Sequence, residues 1–309
     1  MRLHRRSVLV ALPYLCLGGS MRARPLSAPD PGHIFFENGI AAPVATGGTV
    51  LTDTTGKTAR SLAINGGIKT LVMICAGQSL QTDLITDTFN PVNGTVLDNF
   101  CWFNGTCFAA TTPLLGTSWN GSIATSVNYN HKVADGLITN GKFDRVIIVP
   151  VNLSGTTVDI WARDGTFSEA AGYYRMILAA ALKLAAVGIT PSTPGVKFLI
   201  KWNQGESDTQ QSTTQVNYTN SFNLMKSQID AVLPVKWTVA KETWFVGAVS
   251  SAVQAAQVAL VNGTTIFAGE DMDGNINATG RVGDNTHLNA AGGNTATTLG
   301  IAAITAITF

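Results

Sequence analysis

Three short polar islands hold the residue types needed for attack on an ester by a serine oxygen. Gly77-Gln78-Ser79 and Trp202-Asn203-Gln204-Gly205-Glu206-Ser207-Asp208 each follow an apolar run, and Asp284-Asn285-Thr286-His287 precedes the last helical segment. A serine hydroxyl is a weak nucleophile until a base within hydrogen-bond reach takes its proton. The chain has four histidines. His4 lies in a basic amino-terminal stretch and His33 in an irregular one. His131 precedes Asp135 by four residues, so the two could pair on a helix face. Only His287 combines a carboxylate three residues away with a loop just before a helix. Asp284 would hold its imidazole in the right tautomer and stabilise the cation formed when the proton arrives.

A tetrahedral intermediate needs donors aimed at its oxygen. The expected donors are the Ser79 backbone N–H, the Gly155 N–H in the Asn152–Thr157 loop, and the Gln204 side-chain amide. Gln78, Trp161, Trp202, Glu206 and Asp208 are expected to support the site or touch substrate. Glu206 and Asp208 have other readings: orienting Gln204, binding a sugar hydroxyl, or replacing Asp284 behind His287. Each island alone has a plainer explanation. A serine after a strand is often a helix cap, and Asp-X-X-His is often a helix-start loop. The three together carry the argument. Asp271-Met272-Asp273-Gly274-Asn275 has the opening of a calcium loop without its distal glutamate, so it reads as a turn.

These residues need a scaffold that brings distant loops to one edge. Continuous apolar runs at Leu71–Cys75, Asp144–Val151 and Val196–Trp202, then Lys236–Ala240 and Thr265–Ala268, predict strands. Helical spacing covers Phe167–Val187, Tyr218–Val232, Ser250–Val261 and Ala290–Ile304. Alternation of this kind implies a parallel sheet covered on both faces, with the active site beyond the carboxyl ends of the strands. Residues 81–121, rich in Thr, Asn and Gly, read as a long loop, and residues 29–68 as an irregular lead-in to a single domain spanning 29–309.

Of the 309 residues, 1–28 have the three regions of an export signal: Arg2, Arg5 and Arg6, an apolar run from Ser7 to Gly19, then small residues up to Leu26-Ser27-Ala28. Arg5-Arg6-Ser7-Val8-Leu9 has the form of a twin-arginine motif. The run is short for a membrane span and contains Pro13. The mature protein is therefore expected outside the cytoplasm, periplasmic or extracellular, and off the membrane. A net charge of +1 with only 13% charged residues offers no basic face for nucleic acid. An oxidising compartment would let Cys101 and Cys107 close a small loop around Trp-Phe-Asn-Gly-Thr, while Cys75 reads as a buried thiol. Sequons at Asn93, Asn104, Asn120, Asn152, Asn217, Asn262 and Asn277 reflect composition.

With these residues in place, the chain resembles the SGNH hydrolase superfamily, in its sialate O-acetylesterase and acetyl xylan esterase-like branch. That branch has a Gly-Gln-Ser-Asn start, a Gly-Gly-Thr/Ser loop ending in Trp, a Trp-X-Gln-Gly-Glu string and a closing Asp-X-X-His. The matching stretches are Gly77–Leu80, Ser154–Thr156 through Trp161, Trp202–Asp208, and Asp284–His287. Leu80 stands where the branch has Asn, and Ser154 where it has the first Gly. The resemblance implies a three-layer α/β/α sandwich on a five-stranded flavodoxin-like sheet. It also implies removal of acetyl groups from carbohydrate or a small acetyl ester, without metal or cofactor. Two rival readings share the fold. One is a catalytically weakened carbohydrate-binding protein using Trp161 and Trp202 as sugar platforms; the other is a lipase or thioesterase with a wide acyl groove.

Overall fold

The computed structural model describes residues 54–64, 66–82, 85, 87, 89–118, 127–163 and 172–309, with the backbone of a two-stranded pair, β1 (Ile34–Phe35) and β2 (Ala41–Ala42). The export-signal segment, the Asn120 sequon and the start of the helix expected from Phe167 lie outside the described residues.

The core is an eight-stranded sheet. Its strands are β3 (Thr70–Gly77), β4 (Leu97–Phe100), β5 (Cys107–Ala109), β6 (Thr117–Ser118), β7 (Arg145–Leu153), β8 (Val196–Asn203), β9 (Lys236–Lys241) and β10 (Ile266–Asp271). Seven run in the order β10-β9-β8-β3-β7-β4-β5, and β6 pairs with the end of β7. All pairings in the sheet are parallel except β4 with β5. The five expected strands are β3, β7, β8, β9 and β10, and their spatial order is the flavodoxin-like one. The five-strand count was too small, because β4, β5 and β6 widen the sheet beyond β7. These three short strands come from the stretch read as loop. They are two to four residues long, too short for a periodicity signal.

Side-chain alternation assigns the two faces. On β3, Leu71, Met73 and Cys75 enter one apolar cluster, and Val72, Ile74 and Ala76 the other. The first face is covered by α1 (Tyr129–Thr139) and the carboxyl-terminal α8 (Ala290–Thr305). The second is covered by α3 (Tyr174–Ala186), α5 (Gln215–Asp230) and α6 (Ser251–Leu260). Among the described residues there are also three short helices: α2 (Val158–Ala162), α4 (Glu206–Gln210) and α7 (Met272–Asn275). Asn128, Thr214, Ser250 and Asn289 cap α1, α5, α6 and α8 through side-chain oxygens. The end of the lead-in is tied to the sheet. Arg60 N–H donates to the Cys107 carbonyl, and Arg145 reaches the Ser61 and Ala63 carbonyls.

Candidate functional site

The parallel register places Gly77, Asn152 and Asn203 side by side at the carboxyl edge of β3, β7 and β8. Ser79, the Gly155 loop and Gln204 follow from that row within three residues. Gly77 is required there. Its φ is +138°, and a Cβ would stand 1.9 Å from the Asn203 carbonyl oxygen. Ser79 opens a 3-10 turn, Ser79–Gln81, whose carbonyl end is closed by Thr82 N–H and Thr82 Oγ1 on the Ser79 carbonyl. The Gln81 carbonyl accepts from the Asn128 amide at 2.5 Å and the Asn152 amide at 2.9 Å. Asn130 donates to Gln81 Oε1, and the Gln81 amide donates to the Tyr129 hydroxyl. Leu80 is buried in the same apolar cluster as Leu288, the residue after His287. Ser79 is 3% exposed. Its backbone N–H and that of Gly155 are taken by no other group among the described residues.

The second island braces the loops. Gln204 is fully buried, and its amide nitrogen donates to Gln78 Oε1 at 3.1 Å, to the Thr156 carbonyl at 2.9 Å and to Asp208 Oδ2. Gln78 Oε1 also accepts Ser207 N–H, and Asp208 Oδ2 accepts Val158 N–H. The Gln204 amide was expected to face an oxyanion, but its hydrogens are committed to these internal partners. Gly205 fits only as glycine, since a Cβ would lie 2.0 Å from the Glu242 carbonyl oxygen. Burial raises the Asp208 carboxyl, opposed by the Gln204 hydrogen bond.

The third island is a carboxylate–imidazole pair. Asp284 Oδ2 lies 2.5 Å from His287 Nδ1, and Oδ1 accepts the N–H groups of Thr286 and His287 at 2.8 and 3.0 Å. Burial pushes the Asp284 carboxyl up, but the hydrogen bonds from the His287 ring and the two backbone N–H groups outweigh it and hold the carboxyl below the usual range. The His287 side chain keeps 25% exposure. No hydrogen bond joins its ring to the Ser79 hydroxyl in this structure.

Three residues missed in the sequence connect the islands. Gln257, buried on α6, donates its amide to both the Gln204 and Glu242 carbonyls at 2.9 Å. Glu242, fully buried just after β9, faces Arg281. Arg281 donates to the Thr286 carbonyl at 2.5 Å. A continuous route therefore runs from Gln78 through Gln204, Gln257, Glu242 and Arg281 to the residue before His287. The available signal was an acid directly after an apolar strand, the position Glu206 also occupies near the end of β8.

The remaining expectations divide. Trp161 and Trp202 are fully buried and meet edge to face, with ring centroids 5.2 Å apart. Their indole N–H groups donate to Thr156 Oγ1 and to the Tyr218 hydroxyl. They support the loops and cannot serve as sugar platforms. His131 and Asp135 do lie on one helix, but Asp135 receives the Val92 and Asn93 N–H groups, and His131 packs against Phe89. Burial lowers the His131 pKa to about 4. Cys101 and Cys107 are both thiols, with no disulfide between them. Cys107 is registered opposite Phe100, so alternation turns the next residue, Cys101, toward the other face. Asp271 caps α7, and Asp273 is engaged by Thr243 and Gln254, in keeping with a turn.

No protein-family model matches the chain, and no curated protein matches it. Among solved structures it is similar to a protein of Arabidopsis thaliana, with a TM-score of 0.55 at 17% identity over 77% of this chain and 96% of that one. That likeness is one of fold. Looser similarities include a member of the lipolytic G-D-S-L family from Veillonella parvula, with a TM-score of 0.41 at 12% identity over 77% of this chain and 100% of that one. Another is a carbohydrate acetylesterase from Xanthomonas citri, with a TM-score of 0.40 at 16% identity over 75% of this chain and 55% of that one.

Proposed function

We propose that the protein is a serine esterase of the SGNH type that removes acetyl groups from carbohydrate or a similar small ester. The observation that carries this reading is the Asp284–His287 pair. Its carboxylate is fixed by two backbone N–H groups and its imidazole by Nδ1, which leaves Nε2 for a serine. The shared row of Gly77, Asn152 and Asn203 supports Ser79 as that serine.

Ser79 Oγ attacks the acyl carbonyl as His287 takes its proton, forming a new C–O bond. The Ser79 and Gly155 N–H groups stabilise the oxyanion, and Gln204 orients the Gly155 loop through the Thr156 carbonyl. Collapse breaks the bond to the alcohol oxygen, which leaves with the proton from His287. Water then repeats the sequence on the acyl-serine, returning acetate and free enzyme. Catalytic hydrogen bonds are often long in unliganded enzymes, so the Ser79–His287 contact is assigned to the substrate complex.

The test is hydrolysis of p-nitrophenyl acetate by the wild type and Ser79→Ala, with fluorophosphonate labelling mapped to the modified peptide. Wild-type turnover in Ser79→Ala, or label on another serine, overturns the assignment. A series of nitrophenyl esters of rising chain length separates the acetylesterase from a lipase or thioesterase: acetate should be the best substrate.

A further inference from the structure

The segment carrying Asp284 and His287 lies between a 3-10 turn, Ala278–Gly280, and α8, and is closed by an antiparallel bridge between Arg281 and Leu288 with Val282 N–H on the His287 carbonyl at 2.8 Å. Arg281, a buried cation at the start of that segment, reaches across to its own backbone. The Arg281 side chain is fully buried, as is that of Glu242. Arg281 Nη1 donates to the Thr286 carbonyl at 2.5 Å, and Nη2 lies 3.5 Å from Glu242 Oε2. The guanidinium sits 5.0 Å from the Trp244 ring centroid. Trp244 extends the brace, with its indole N–H on the Asn285 carbonyl at 2.9 Å and its backbone N–H on Glu242 Oε1 at 3.1 Å. Two more backbone donors dock the same segment: Val246 N–H to Thr286 Oγ1 at 2.9 Å and Gly247 N–H to the Asn285 carbonyl at 3.3 Å.

We propose that Arg281, held by Glu242, is the positioning residue that fixes the Thr286–His287 peptide and so sets where the imidazole stands relative to Ser79. The inference rests on the serine-esterase reading and adds a residue that touches neither substrate nor reacting atoms. A guanidinium suits the task because its rigid fork sends one N–H to a carbonyl and another to a carboxylate. A lysine ammonium is a single point and cannot hold both partners in that geometry. A buried pair of this kind rarely adds net stability, so a stabilising role is a weak account of it. The return comes through geometry: a misplacement of about 1 Å far from the chemistry can lower a rate by about 10²-fold.

The test compares full-length wild type with Arg281→Ala, Arg281→Lys and Glu242→Gln. Three quantities are read: kcat and KM for p-nitrophenyl acetate, recovery of rate on adding guanidinium below denaturing concentration, and the downfield imidazole proton of His287 by NMR. Arg281→Ala should lose about 10²-fold in kcat with KM within about twofold, and guanidinium should restore part of it. The His287 signal should shift in every variant. A folded Arg281→Ala with kcat near wild type overturns the proposal, as does a loss of kcat with no rescue and an unmoved His287 signal. If the alanine variant does not fold, Arg281→Lys decides: wild-type kcat and an unmoved signal refute the brace. If wild type hydrolyses no ester at all, the esterase reading fails, and the NMR shift in Arg281→Lys alone judges the positioning role.

Discussion

His287 Nδ1 lies 2.5 Å from Asp284 Oδ2, and the other oxygen of that carboxylate is held by the N–H groups of Thr286 and His287 itself. Ring and carboxylate are thus locked by their own four-residue segment. Ser79→Ala and His287→Ala should each lower kcat by about 10⁴-fold or more, and Asp284→Ala by about 10²–10⁴-fold, with little change in KM. Combining the three should cost hardly more than losing Ser79 alone, because they act as one unit. Steady-state kinetics with p-nitrophenyl acetate measure this, and additive losses would argue against a shared proton path.

Gly77 separates a structural role from a catalytic one. A Cβ at Gly77 would meet the Asn203 carbonyl at 1.9 Å, whereas one at Gly155 meets nothing within 4 Å. Gly77→Ala should destabilise the fold by at least about 3 kcal/mol, by overpacking against backbone. Gly155→Ala, at φ +72°, should cost only about 1–2 kcal/mol. Urea denaturation of the two variants ranks them, and the reverse order would contradict the close approach of β3 and β8.

The turn Phe245–Ala248 carries a removable strain. Its central residues, Val246 and Gly247, have φ of +48° and +83°, and Phe245 and Ala248 exchange backbone hydrogen bonds. Positive φ at both positions suits Asn-Gly, and a β-branched residue is disfavoured there. Val246 is 61% exposed and gives up little packing when replaced. Val246→Asn should therefore stabilise the protein by about 1 kcal/mol. A lower urea midpoint in the variant would count against the strain.

Glu206 gives stability a pH dependence. It is fully buried near Glu242, Asp273 and Arg281, with Oε2 accepting the Gly205 N–H. Burial dominates and raises its pKa from the usual 4.5 to about 8, against the backbone hydrogen bonds and Arg281. The folded state then binds a proton that the unfolded state has released. Glu206 favours the fold least at high pH, and its contribution falls as pH rises from about 4.5 to about 8. Glu206→Gln should gain stability relative to wild type across that window. Denaturation of both at pH 5 and pH 8 checks it, and a pH-independent difference would mean that Glu206 titrates normally.

Much of the scaffold was legible because buried parallel strands are unbroken apolar runs. Leu71–Cys75 and Val196–Trp202 announced β3 and β8 almost to their ends. The helix α1 was not announced, because its buried face carries Asn130, His131 and Asp135, polar residues satisfied or enclosed only by distant loops. The short strands β4, β5 and β6 were hidden for a different reason: pairing to β7 or to each other makes them strands, and their own few residues do not.

The chemistry divides in the same way. The amino-acid order by itself made Asp284 the expected partner of His287, since three residues of loop suffice to close that contact, and the structure removed Glu206 and Asp208 as rivals by engaging them elsewhere. That Gly77 and Gly205 stand where two backbones pass closely is a matter of the assembled strands, since the partners are Asn203 and Glu242. Tertiary structure alone decided that Trp161 and Trp202 are walls, that Gln204 binds loops together, and that Arg281 and Glu242 stand behind His287. Those roles depend on which groups from remote strands share a buried space, and burial is a property of the assembled layers that no local spacing encodes.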